Sequence, residues 1–103
     1  MAVKKAKEKA LKSEEELRRD VGDFVAMNPV LDGVDIRVFV YLSGRVNFTE
    51  PVHVPQIEMA IALGRQQTHI SRSLRKLVDV GVLLSGPEGT RASKWMFNAD
   101  CAT

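Results

Sequence analysis

The chain has 103 residues, 45% hydrophobic and 27% charged, the composition of one folded domain and not of a disordered segment. Its net charge is only +2, so overall basicity argues for no particular partner. No apolar run approaches the roughly 20 residues of a membrane-crossing helix, and no apolar segment of the secretory kind follows the Lys-rich opening.

Residues 3–27 are dense in Lys, Glu, Ala and Leu and predict one helix. Its second half carries Leu17, Val21, Phe24 and Val25 at the spacing of an amphipathic stripe. A helix of about 25 residues spans nearly 38 Å at about 1.5 Å per residue, so part of it is expected to project from so small a domain. These four residues are therefore the candidate contact of a homodimer, and are equally suited to cap the chain's own core. Asn28-Pro29 ends the helix. Asp32 fits the N-cap of a second helix running to Ser43, although residues 36–42 are rich in β-branched and aromatic side chains, which also suits a strand. A loop and a short strand at 52–54 come next. Pro55 suits the first position of a helix ending at Gly64, and a longer helix from Gln67 to Val80 ends at Gly81. Residues 82–85 and 93–97 flank Gly86-Pro87-Glu88-Gly89 and predict a hairpin.

Charge is distributed more tellingly than it is summed. Between Glu58 and Asp79 there is no acid, while Arg65, Arg72, Arg75 and Lys76 fall there, a local +4 of the kind a polyanion meets. On the longer helix, Ile70, Leu74 and Leu77 share one face, with Thr68, Arg72 and Arg75 nearly opposite and Ser71 and Lys76 on the flanks. Arg can pair bidentately with guanine, Gln with adenine, and a Thr methyl can meet a thymine methyl. Ala60, Gly64 and Ile70 are spaced as a helix-turn-helix requires: a small residue where helices cross, a turn residue, and a plug between them. His53, His69 and Cys101 show no metal-ligand spacing, and no nucleophile stands with a base near a pocket-forming Gly motif, so neither a metal, a cofactor nor an enzymatic activity is expected. The lone Cys101 leaves no internal disulfide, and a cytoplasmic protein is expected.

The run Met59-Ala60, Leu63-Gly64, Ile70-Ser71-Arg72, Leu74-Arg75-Lys76-Leu77 and Gly81-Val82-Leu83 resembles the winged helix-turn-helix of bacterial regulators such as the multiple-antibiotic-resistance repressors, and of plasmid or phage replication proteins. The resemblance spans residues 31–98 and favours a helix at 35–42. It implies a mostly α domain with a small β-hairpin wing over residues 29–99, an N-terminal helical extension at 1–28 and a tail at 100–103. It further implies that Gln66, Gln67, Thr68, Ser71, Arg72 and Arg75 face bases or nearby phosphates, with His69 on the same face. Arg65 and Lys76 would hold phosphate, and Arg91 and Lys94 of the wing would reach phosphates or a minor groove. The chain departs from the pattern at Gln66, where such families usually carry Ser or Thr as the helix cap. The expected function is a double-stranded DNA-binding regulator, nucleoid-associated and dimeric, that represses by occupying an operator. The alternatives are a plasmid or phage replication and maintenance protein, and a winged-helix interaction module within a larger assembly.

Overall fold

Ser13 sets the start of the first helix among the described residues. The computed structural model describes residues 13–87, 89 and 92–101. Helix α1 (Glu14–Met27) begins where the extended backbone of Ser13 lets its hydroxyl accept from the Glu16 amide at 3.1 Å. Glu14, Glu15 and Glu16 fill the first turn, where carboxylates meet the positive end of the helix dipole. The helix expected to run unbroken from residue 3 therefore starts at Glu14, and residues 3–12 of that expectation lie outside the described residues. At 14 residues α1 is about 21 Å long.

The expected dimer stripe divides. Val21 and Val25 are 1% and 2% exposed in the chain's own core, while Leu17 and Phe24 are half-buried. Val21 and Val25 are thus unavailable to a second copy, because the core of this chain consumes them. Arg18 fastens α1 down: its guanidinium donates to the carbonyls of Ser43 and Val46, pairs with Glu14 at 3.0 Å, and lies 5.9 Å and 6.0 Å from the ring centroids of Phe48 and Phe97.

Helix α2 (Gly33–Ser43) is closed by a full capping box. The Asp32 carboxylate accepts from the amides of Val34 and Asp35, both at 3.1 Å, and the Asp35 carboxylate accepts from the Asp32 amide at 2.9 Å. That cap, with Asp35, Val38 and Leu42 buried on one face, outweighs the strand-like composition of the segment.

After strand β1 (Val52–His53) come α3 (Gln56–Leu63) and α4 (Gln67–Asp79). Pro55 is the N-cap of α3 and not its first residue, a shift of one position. Both helices end alike. The Gly64 amide reaches Ile61 O and the Arg65 amide Ala60 O; the Gly81 amide reaches Val78 O and the Val82 amide Leu77 O. With φ of +65° and +88°, Gly64 and Gly81 occupy the left-handed position of this terminator.

Strands β2 (Leu83–Ser85) and β3 (Lys94–Phe97) complete an antiparallel sheet of order β1-β3-β2. Val52 pairs with Trp95 and His53 with Lys94; Leu83 pairs with Phe97 and Ser85 with Trp95. Val82 and Ser93, expected inside the strands, lie just outside them: the Val82 amide is held by the end of α4, and Ser93 has φ +54°. Among the described residues the chain is thus mostly helical, with four helices and one small three-stranded sheet. Val21, Val38, Leu42, Ile70, Leu74, Leu77 and Trp95 form one core shared by α1, α2, α4 and the sheet. No helix among the described residues is long and apolar enough to cross a membrane.

Candidate functional site

Helix α4 has one face in the core and one in solvent. Ile70, Ser73, Leu74 and Leu77 are buried, at 0 to 3% exposure, and Ala60 of α3 is buried beneath the turn that joins the helices. Gln67, Thr68, His69, Ser71, Arg72 and Arg75 are exposed, as are Arg65 and Gln66 in the turn. The division follows from spacing: aliphatic side chains three and four residues apart fall on one side, and the remainder is forced outward.

Two members of this constellation are engaged within the chain. The Ser71 hydroxyl donates to the Gln56 side-chain carbonyl on α3. Lys76 reaches α2, where its ammonium lies 2.7 Å from the Asp35 carboxylate and 3.6 Å from that of Asp32. The hydrogen bond to Asp35 holds the Lys76 ammonium above its ordinary pKa, while the Asp35 backbone amide holds the Asp32 carboxyl below its own. Asp35 is itself 1% exposed, so Lys76 neutralises a buried carboxylate and ties α4 to the cap of α2. It is not a free phosphate ligand. By contrast, Gln67, Thr68, His69, Arg72 and Arg75 make no side-chain hydrogen bond or ion pair among the described residues, and remain available to an outside partner.

Gln66 is the N-cap of α4 in position and not in chemistry. Its backbone is extended (φ −72°, ψ 147°), but no side chain accepts a hydrogen bond from the first turn. Of the hairpin cations, Arg91 lies outside the described residues, and Lys94 stands on β3 directly across from His53.

Between α4 and the sheet lies an open cleft of about 750 Å³. Gln67, Ser71, Arg72 and Arg75 of α4 line one side, Pro55, Gln56 and Ile57 another, and His53, Ser93 and Trp95 the sheet side. The sequence assigns His53 no site role, because nothing in the local pattern of a short strand relates it to a helix many residues later. Its Nδ1 lies 3.1 Å from the Ala92 carbonyl oxygen. A carbonyl only accepts, so Nδ1 carries the hydrogen and Nε2 is the ring's other nitrogen. No carboxylate lines the cleft among the described residues, and two guanidiniums do, an arrangement suited to an anion.

Comparison with family models, with curated proteins and with solved structures finds no match to this chain.

Proposed function

We propose that the chain is a winged-helix protein that binds duplex DNA with sequence preference, α4 entering the major groove and the hairpin acting as the wing. The observation that carries this reading is the outward face of α4: Gln67, Thr68, Arg72 and Arg75 are exposed side by side on a helix whose opposite face is locked into the core. A reading helix needs both halves, since base contacts worth about 1–3 kcal/mol require donors held in fixed positions. Arg65 in the turn and Lys94 on β3 supply phosphate contacts on either side. The uncapped first turn of α4 leaves amides that a phosphate oxygen satisfies. Lys76 has no part in this reading, and Ser71 serves by fixing α4 against α3.

A single module of this size contacts little DNA, so operator binding calls for two copies. With Val21 and Val25 committed to the core, the apolar surface left on α1 is Leu17 and Phe24 together with Met27, which is 82% exposed. Repression by occupancy follows where the site overlaps a promoter, and replication control where it lies in an origin.

Selection from a random pool of duplexes tests the reading, and an enriched motif is the expected result. A second reading has its own support, since Ile57 and Ile61 stand 59% and 76% exposed one turn apart on α3, a small apolar stripe suited to a protein partner. A pool that yields no enrichment favours that interaction module.

A further inference from the structure

We infer that the cleft between α4 and the sheet seats one phosphodiester of the DNA backbone, and that His53 is a proton-coupled ligand of that phosphate. The inference deepens the DNA reading and rests on it. His53 stands on β1 and lines the cleft together with Arg72 and Arg75. Its ring is oriented before any ligand arrives, because Nδ1–H is taken up by the Ala92 carbonyl at 3.1 Å. The one way for this imidazole to meet a phosphate oxygen as a donor is to take a proton on Nε2. Among the described residues, the charged groups that line the cleft with it are Arg72 and Arg75 from α4, both cationic, and its register partner on β3 is Lys94. From α3 and its N-cap the described lining of the cleft is Pro55, Gln56 and Ile57, which carry no charge. An entering phosphodiester brings the opposite charge to this group, so protonation of Nε2 and phosphate binding reinforce one another. His69 is the contrasting case. It is exposed at the start of α4, does not line the cleft, and has no partner holding its ring among the described residues.

A neutral imidazole whose Nδ1–H is already taken has no donor left and a protonated one has Nε2–H, so the phosphate contact is expected to require the charged ring. The readout is the salt dependence of binding, which counts phosphate contacts at about 0.9 in the slope of log affinity against log salt for each. The probe is a mixed-sequence DNA duplex, titrated with the intact chain at about pH 6 and about pH 8. The expected result is a wild-type slope steeper by about 0.9 at the lower pH. In His53→Gln, whose amide can still donate to Ala92 O, the slope is expected to be the same at both. His69→Gln, whatever it does to affinity from the outward face of α4, is expected to keep the difference in slope between the two pH values. Wild-type slopes that agree at the two pH values, or a difference that survives in His53→Gln, overturn the role of His53 and leave the DNA reading standing. A chain that does not bind duplex DNA at either pH overturns the DNA reading itself, and this inference with it.

Discussion

Gly22→Ala and Gly64→Ala make the same chemical change and are expected to move stability in opposite directions. A Cβ built at either position meets nothing within 4 Å, so packing contributes to neither and the backbone decides both. Gly22 lies inside α1, where Ala is favoured over Gly by about 0.8–1.0 kcal/mol. Gly64 has φ +65° and ψ 38°, the left-handed conformation, which costs an L-residue roughly 1–2 kcal/mol. Part of that cost is offset because Ala restricts the unfolded chain, leaving a net loss of about 1 kcal/mol. The two variants should therefore differ by about 2 kcal/mol. At about 4–8 °C per kcal/mol for a domain of this size, their midpoints of thermal unfolding should stand about 8–16 °C apart, wild type between them. Circular dichroism on the three proteins measures this directly. A Gly64→Ala protein as stable as wild type would refute the left-handed turn on which the placement of α4 against α3 depends. A destabilised Gly22→Ala would show that something packs against α1 at that point.

Three further expectations follow from particular contacts. Val21→Glu puts a charge at a site 1% exposed and should abolish the cooperative thermal transition, whereas Leu17→Glu, at a half-buried position, should keep it; a folded Val21→Glu protein would return Val21 to the surface. Arg72→Ala or Arg75→Ala should cost about 1–3 kcal/mol on the preferred duplex and relax one base position on repeated pool selection, and two variants that select the wild-type motif would unseat the outward face of α4 as the reader. The Asp32 carboxyl is held below its ordinary value of 3.8, chiefly by the Asp35 amide, so its contribution to stability is full above that pH and is lost as pH falls through the lower folded value. Denaturation of wild type and Asp32→Ala across this range should show the difference between them closing in acid; a constant difference would remove the charge from the cap.

What the sequence determined by itself was whatever depends on neighbours along the chain. Gly64 and Gly81 terminate helices because only the local backbone must turn left-handed there, and Asp32 caps α2 through amides two and three residues ahead. The face of α4 that carries Arg72 and Arg75 follows from helical spacing alone. The Ser13-x-x-Glu16 signature was equally local and legible, yet the high helix propensity on both sides of it masked the break that the cap imposes. Tertiary structure decided the rest. Lys76 and Ser71 look like surface cations and hydroxyls until α2 brings Asp35, and α3 brings Gln56, within bonding distance. An amphipathic stripe such as Val21 and Val25 states that a face will be buried and not against which chain, because apolar burial has no direction and no address. His53 came to line one cleft with Arg72 and Arg75 only once β1 paired with β3 and α4 packed beside the sheet, since charge acts through space and the groups it relates need not be near in sequence.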